Sequence, residues 1–337
     1  MSSPDPHKRP TLKTIADITG LSLSTVSLAL RTGNNLKQET NDKVAQAARQ
    51  IGYVPNRAGV RLRTGRTNVL ALVLATNDKS LDFTQRLVQG IGAYIKSTQF
   101  HLNVIPEFET ENPVAAVKYV LENRVADGVI LTHTSANDPR VKLLLENDFP
   151  FVSHGRTEFN TPHAYHDYDI AQYVELAVTR LASKNRKHIL LAAVDKESTN
   201  YHIIVDQFKR CMSELKLVGE VANNAENLSC TESARAFGQS LAKHSQPFDG
   251  IICNSELIAL SIVSGLQDGG IALGKDYDLI CRQTTEILSI LYPKMDTISD
   301  DLIATGSALA RLLIEQINGA DISTLQTLQK PTTNWRS

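Results

Sequence analysis

Two groups of polar residues in this 337-residue chain have types and spacing that suit recognition rather than bond making. The first is compact. Leu23, Ser24, Thr25, Ser27 and Leu28 fall on the outward positions of a helical repeat whose inward positions are Val26, Ala29 and Leu30. Small hydroxyls allow close approach to phosphates and base edges, and a Leu tip can pack on a thymine methyl. The second group is dispersed. Asn77, Asp78, His133, Arg156, Asp169, Tyr201, Asn254 and Gln283 lie beyond short apolar runs, where ligands bind at the carboxyl ends of parallel strands. Amides, carboxylates, an arginine and an aromatic ring suit a sugar-like molecule, with directional bonds to hydroxyls and stacking on apolar faces.

Bond-making chemistry has no comparable signal. The chain contains no nucleophile elbow, P-loop or GxGxxG, and no local Ser/His/Asp set. His154, His163, His166 and Asp167 invite a metal, but no tight helical His pair accompanies them. Cys211, Cys230, Cys253 and Cys281 are widely spaced without a CxxC, as expected of reduced thiols. The expectation is a protein with no catalytic residues, metal or cofactor.

Particular elements must position these residues. Leu12, Ile15, Ala16 and Thr19 recur at helical spacing, Gly20 permits a sharp stop, and Ser22 can cap the helix that follows. Helix, tight turn and helix form the unit that lays its second helix in the DNA major groove. A third helix runs to about Ile51 with Val44, Ala47, Ala48 and Ile51 on one face. Its start is ambiguous, because Lys37 cannot cap and Asn35 offers a cap one turn earlier. Residues 1–10 read as a disordered arm, and 56–66 as a short basic hinge too small to be a stable helix in water. From 69 onward, short apolar runs at 69–75, 102–105, 128–132, 151–153, 189–194, 251–253 and 279–281 alternate with helical stretches. Those stretches are 83–97, 113–122, 171–182, 204–215 and 255–266. Repeated βαβ units imply parallel sheets covered by helices, and the strands are too many for one ordinary sheet.

TLKTIADITGLSLSTVSLAL at 11–30, followed by IGYVPNRAGVRLRTGRT at 51–67, closely resembles the amino-terminal region of LacI-type bacterial transcription regulators. The likeness continues in order to about residue 330. It implies a small all-α helix-turn-helix headpiece (11–55), a hinge, and a two-lobed α/β effector and dimerisation domain (67–337) of the type I periplasmic-binding-protein kind. Lobe 1 is expected at about 67–164 and 297–320, and lobe 2 at about 165–296 and 321–337. The last strand, near 297–298, and a helix at 303–317 would cross back to the first lobe. The resemblance sets Leu23, Ser24 and Leu28 at base-reading positions. With them stand Thr11, Ser22, Thr25, Ser27, Asn35, Tyr53, Asn56, Arg57 and Gly59 as DNA-contact candidates, and Leu62 as a side chain that wedges into the minor groove. Gly59 replaces the usual Ala and should weaken hinge folding.

In the cleft, Asn254 matches an effector-binding position and Asp169 an acid at the cleft edge. Ile170, Ile204 and Gln283 stand where relatives carry Asn, Arg and an acid, so Arg156 is the expected cation, with a lean toward a neutral glycoside. The function implied is a homodimeric repressor of carbohydrate uptake or catabolism genes. It would read a near-palindromic operator under control of a small sugar or glycoside. No heptad run follows Leu325, so a tetramer-forming tail is not expected.

Charge agrees with DNA binding at one end. Residues 1–66 hold eleven Lys/Arg against four Asp/Glu, while the whole chain has a net charge of −1. A basic head on an acidic body binds phosphate locally and keeps the body off DNA. With no apolar run of membrane length and no apolar signal core at the start, a cytoplasmic location is expected. A transport-linked sugar-binding protein would need an export signal and no basic head. An enzyme on the same scaffold would need a catalytic set in the cleft.

Overall fold

The computed structural model describes residues 10–30, 35–53, 61, 65–75, 82–107, 112–194, 196, 198–222, 228 and 230–336. The chain divides into two compact units, 1–67 and 68–337.

The described residues of the first unit include the helices α1 (Leu12–Thr19), α2 (Leu23–Ala29) and α3 (Gln38–Gln50). Thr11 opens α1 through a reciprocal cap: its Oγ1 accepts from the Thr14 amide at 3.3 Å, and Thr14 Oγ1 accepts from the Thr11 amide at 3.1 Å. Gly20 ends the helix at φ 70°, with its amide donating to the Ala16 carbonyl at 2.9 Å. Ser22 then caps α2, its Oγ accepting from the Thr25 amide at 3.1 Å. Helix α3 begins directly after Lys37, which makes no side-chain cap bond, so Asn35 does not serve as an earlier cap. The Lys37 carbonyl engages the first turn, accepting from the amides of Thr40 and Asn41. Ile15, Val26, Val44, Ala47 and Ala48 form the buried core that fixes the three helices together.

The second unit contains two six-stranded sheets. Strands β1 (Val69–Ala75), β2 (His101–Glu107), β3 (Gly128–Leu131), β4 (Phe151–His154), β5 (Ala164–Tyr168) and β11 (Gln326–Gln329) form the first, in the order β11-β5-β4-β3-β1-β2. Strands β6 (His188–Ala192), β7 (Val218–Val221), β8 (Gly250–Cys253), β9 (Asp278–Gln283), β10 (Asp296–Ser299) and β12 (Thr332–Asn334) form the second, in the order β12-β10-β9-β8-β6-β7. Every pairing is parallel except β10 with β12. The central strands are buried apolar runs covered on both faces, as parallel sheets require. Helices α4 (Phe83–Ile95), α5 (Ala115–Asn123), α6 (Pro139–Glu146) and α12 (Leu302–Ile317) pack in the first lobe. Helices α7 (Ile170–Ser183), α8 (Thr199–Glu214), α9 (Thr231–Leu241), α10 (Glu256–Asp268) and α11 (Ile287–Leu291) belong to the second.

The lobe boundaries differ from the expected ones at three places. Residues 164–168 pair with β4 and β11, so they belong to the first lobe and not the second. Residues 296–299 stay in the second sheet against β9, and only α12 crosses back to the first lobe. The tail divides: 326–329 joins the first sheet, and 332–334 joins the second. The chain therefore passes between the lobes three times, after β5, after β10 and between β11 and β12.

Each lobe also contains one very close helix crossing. A Cβ added at Gly306 of α12 would lie 2.2 Å from the Leu87 carbonyl oxygen of α4, and one at Gly90 would lie 2.0 Å from that of Ile303. Glycine is required there because backbone meets backbone. Gly238 of α9 and Gly265 of α10 repeat the arrangement in the second lobe. Cys211, Cys253 and Cys281 are buried and Cys230 is exposed, all as free thiols.

Candidate nucleic-acid interface and interlobe cleft

On the headpiece, α2 turns Val26 inward to full burial and leaves Leu23 (51% exposed) and Leu28 (36%) on the outer face with Ser24. Leu23 and Leu28 are thus large apolar side chains that the helical core does not take up. Thr25 and Ser27 are half-buried at its margin. Ser22 Oγ lies 2.8 Å from both Ser24 Oγ and Thr25 Oγ1, so the hydroxyls at the start of α2 form one connected cluster. Thr11 and Asn35 are exposed, and Tyr53 packs half-buried against the helical core. Asn56, Arg57, Gly59 and Leu62 lie outside the described residues.

In the second unit, loops from both sheets meet across a polar cleft. Asp167, 1% exposed, ends β5 and accepts three hydrogen bonds. Arg156 Nε donates to its Oδ2 at 2.8 Å, and the Tyr168 amide (2.9 Å) and Asn200 Nδ2 (3.0 Å) donate to its Oδ1. Asn200 lies in the first turn of α8, so that last bond joins the lobes. Beside it, Thr199 Oγ1 donates to the Arg156 carbonyl at 3.0 Å, and Ser135 forms an isolated antiparallel bridge with Ser198. Arg156 is thus tied to a buried acid of its own lobe, and the cation expected for a ligand has its Nε already filled.

His133 follows β3 at φ 52°, exposed, with its ring 4.9 Å from Phe83. Its turn is held from behind by buried Arg140, which donates to the carbonyls of Thr132 and His133 at 3.1 Å each and pairs with Asp138 and Glu107. The His154 ring also lies near Phe83, at 5.5 Å. Desolvation, reinforced by His133, His166 and Arg282, pushes its imidazole down to about 3, so it is neutral at physiological pH.

Other predicted positions also make local structural contacts. Asp169 caps α7, accepting from the Gln172 amide at 3.1 Å. Asn254 brackets Val194, with Oδ1 accepting from its amide at 3.0 Å and Nδ2 donating to its carbonyl at 3.4 Å. Tyr201 borders a groove of about 720 Å³ between α8 and β7, with Val205, Phe208 and Met212. Gln283 is 4% exposed and accepts from Ser289 Oγ of α11 at 3.0 Å. Side chains alternate along a strand, so its neighbour Arg282 faces the opposite way. Arg282 lies 5.6 Å from the centroid of the Tyr168 ring of the first lobe, and its Nε is 3.7 Å from Asp300 Oδ2. Asn77 and Asp78 lie outside the described residues.

Sequence reasoning missed Arg282, Asp300 and Asn200, and met Asp167 only as a possible metal ligand. A strand phase counted one residue earlier would have found Arg282. The four residues read as a possible metal set are dispersed among separate partners. His163 Nε2 lies 3.2 Å from Ser153 Oγ, His166 Nδ1 lies 2.8 Å from Thr327 Oγ1, and Asp167 pairs with Arg156.

Comparison with known proteins agrees with both halves of this architecture. Residues 11–56 match the family described as bacterial regulatory proteins, lacI family, and residues 178–337 match the periplasmic binding protein-like domain. The HTH-type transcriptional regulator AglR of Rhizobium meliloti is 28% identical over 322 residues, covering 90% of this chain and 86% of AglR. The HTH-type transcriptional regulator CelR of Thermobifida fusca is 24% identical over 319 residues, covering 93% of each. Among solved structures, the lac repressor dimer bound to operator and the anti-inducer ONPF superposes with a TM-score of 0.79 at 17% identity, over 98% of both chains. A CelR–cellobiose complex gives 0.70 at 21% identity, over 97% of this chain and 99% of that one. With a lacI-type helix-turn-helix at one end and a two-lobed binding domain behind it, the chain belongs to the lacI family of bacterial regulatory proteins and is a DNA-binding transcription regulator.

Proposed function

We propose that this regulator represses genes of carbohydrate uptake or catabolism, acting in the cytoplasm as a homodimer on a near-palindromic operator. A small sugar-like effector bound between the lobes controls it. The observation that carries this reading is the polar interlobe cleft, where Asp167 of one lobe accepts from Asn200 of the other. A ligand that changes how the lobes meet changes the spacing of whatever they hold, and a dimer converts that spacing into half-site register. The CelR–cellobiose structure supports a sugar as the class of effector. The absence, among the described residues, of a helix long and apolar enough to cross a membrane is compatible with this location.

In this reading Leu23, Ser24 and Leu28 touch bases, while Thr11, Ser22, Thr25, Ser27, Asn35, Tyr53, Asn56, Arg57 and Gly59 hold the backbone and Leu62 wedges the minor groove. His133, Asp169 and Asn254 line the effector site with the 77–78 segment. Selection of operators from a random DNA pool by the full chain tests the first half. Leu28→Arg should shift the preferred base at one half-site position, because a guanidinium reads guanine where Leu reads a thymine methyl. The same selected site for both proteins would remove Leu28 from base reading. Calorimetric titration of the sugar that stabilises the protein tests the second half. Asn254→Ala should weaken its binding roughly tenfold to a hundredfold (about 1–3 kcal/mol) and leave operator affinity without sugar nearly intact. Unchanged sugar affinity would remove Asn254 from the site.

A further inference from the structure

The cleft holds a cation whose hydrogen-bonding capacity its neighbours do not fill. Arg282, the penultimate residue of β9, has its side chain about a quarter exposed, yet its Nε is buried and has no hydrogen-bond partner among the described residues. The nearest acid, Asp300, stands at 3.7 Å, beyond hydrogen-bond distance. The carboxyl of Asp300 is also engaged elsewhere, since its Oδ1 accepts from Gln329 Nε2 at 3.0 Å. Burial pushes that carboxyl up to about 6 against the pull of Arg282, so Asp300 is still mostly ionised at physiological pH and takes up a proton only as the pH falls toward 6. The Tyr168 ring supports one side of the guanidinium.

The other arginines around the cleft differ. Arg156 places its Nε on Asp167 at 2.8 Å. Arg140 has Nε, Nη1 and Nη2 all engaged with Asp138, Glu107 and two carbonyls. Both are bound into their own lobe. Arg282 instead belongs to the second lobe and reaches the first, over Tyr168 and within electrostatic range of His154. A second unfilled atom borders the junction of the lobes: Asn200 Oδ1 is buried without a partner, while its Nδ2 is held on Asp167. The cleft thus offers a planar cationic donor at one point and an amide acceptor at another.

From this juxtaposition we infer that the effector is an acidic sugar or polyol, whose carboxylate is held by the Arg282 guanidinium and one of whose hydroxyls donates to Asn200 Oδ1. This rests on the cleft being the effector site, and it replaces the neutral glycoside expected from the sequence. The guanidinium edge, with Nε–H and one Nη–H side by side, matches the two oxygens of a carboxylate. A hydroxyl would fill one donor of the fork and leave the other open. A phosphate ester carries the same oxyanion chemistry with about one charge more, and would meet a cleft where Asp167 already takes up Arg156 and Asp300 stands beside Arg282.

The test is a thermal-shift and calorimetric panel on the full chain. It uses D-glucuronate, D-galacturonate and D-gluconate, the neutral sugars glucose, galactose and cellobiose, and glucose 6-phosphate, at matched ionic strength. The expected result is that a sugar acid raises the melting temperature and binds at least tenfold more tightly than its neutral counterpart. Arg282→Gln should lose at least tenfold in affinity for the acid while changing affinity for the neutral sugar by less than threefold. Arg282→Lys, which keeps the charge and loses the planar fork, should fall between. Asp300→Asn, which leaves Gln329 a carbonyl partner, should bind the acid at least as tightly as the parent, and it keeps the inference testable if Arg282→Gln fails to fold. Binding by neutral sugars alone, or equal loss for acid and neutral sugar in Arg282→Gln, overturns the acidic effector and leaves the sugar-controlled regulator standing. Binding only of the phosphate ester overturns the carboxylate assignment. No response to any member overturns both readings.

Discussion

Replacing Asn200 by Ala should loosen the junction between the lobes by an amount the geometry sets. The Asn200 amide donates at 3.0 Å to Asp167, a carboxylate 1% exposed. Hydrogen bonds to charged groups contribute about 1.5–3 kcal/mol when both groups are buried. Asn200 is half-buried and regains water when the lobes part, so about 1–2 kcal/mol is the appropriate loss. That loss changes the ratio of parted to joined lobes by roughly 5- to 30-fold. Thr199→Ala removes the neighbouring bond to the Arg156 carbonyl and should cost less, about 0.5–1.5 kcal/mol. Asn200→Asp should exceed both, because two carboxylates would then face each other at hydrogen-bond distance. The assay is single-molecule energy transfer between dyes at Lys142→Cys on α6 and Lys243→Cys on the second lobe, with exposed Cys230 replaced by Ser. The order Asn200→Asp, Asn200→Ala, Thr199→Ala in the parted fraction is expected. Identical transfer efficiencies in all three would show that these bonds do not hold the lobes together.

Other expectations follow from single residues. Lys37→Ser should stabilise the headpiece by about 1 kcal/mol, since the first turn of α3 lacks a side-chain cap; chemical unfolding of the headpiece transition measures it, and no gain would deny that a missing cap costs anything here. Gly306→Ala should destabilise the second unit by more than about 2 kcal/mol, read as a lowered melting temperature, because the new Cβ would meet the Leu87 carbonyl at 2.2 Å. Leu62→Ser should reduce operator affinity and DNA bending far more than nonspecific affinity, and Gly59→Ala should raise operator affinity by about 0.5–1 kcal/mol per subunit; gel shift and bend assays at matched salt would show no effect from either if 56–63 is a tether. Affinity for a sugar acid should rise as pH falls from 8 toward 6. Protonating Asp300, which faces Arg282, Tyr168 and Asp167, with Asp301 at the start of α12 and Gln329 on β11, removes the competing charge, so binding takes up a proton. A flat profile in the parent protein, or one that persists in Asp300→Asn, would reject that linkage.

Much of this architecture was legible because it is carried by apolar periodicity and by turn residues. Gly20 and Ser22 mark the turn and cap of the helix-turn-helix, and the runs at 69–75, 128–131 and 250–253 are buried strands. What escaped lacks that signal. Strand β5 reads Ala-Tyr-His-Asp-Tyr; its buried Asp167 is satisfied from elsewhere by Arg156 and Asn200, and Thr327 meets one ring nitrogen of its buried His166. Strands β7, β11 and β12 are short and largely polar or exposed, so nothing in their composition separates them from loops. Helix α9 is mostly polar outside its buried Ala234, Gly238 and Leu241, which are too few to announce a period. Contacts around the cleft escaped the sequence for a related reason. An ion pair such as Arg156 with Asp167 cannot be inferred from residue types, and the one-residue phase that separates Gln283 from Arg282 is decided by which face of β9 meets α11.

The three passages between the lobes also govern how the molecule can be divided. Neither lobe is a continuous stretch of sequence: the first needs 302–329 to supply α12 and β11, and the second needs 332–334 to finish its sheet. A protease that nicks the chain at a single crossing leaves two fragments that stay threaded together through the other two. A gene fragment ending near 168 would expose the apolar surface that Leu309, Leu312 and Leu313 cover in the intact chain. Truncation mapping of this regulator should therefore give soluble products only when the cut falls before residue 68, and every shorter body fragment should aggregate.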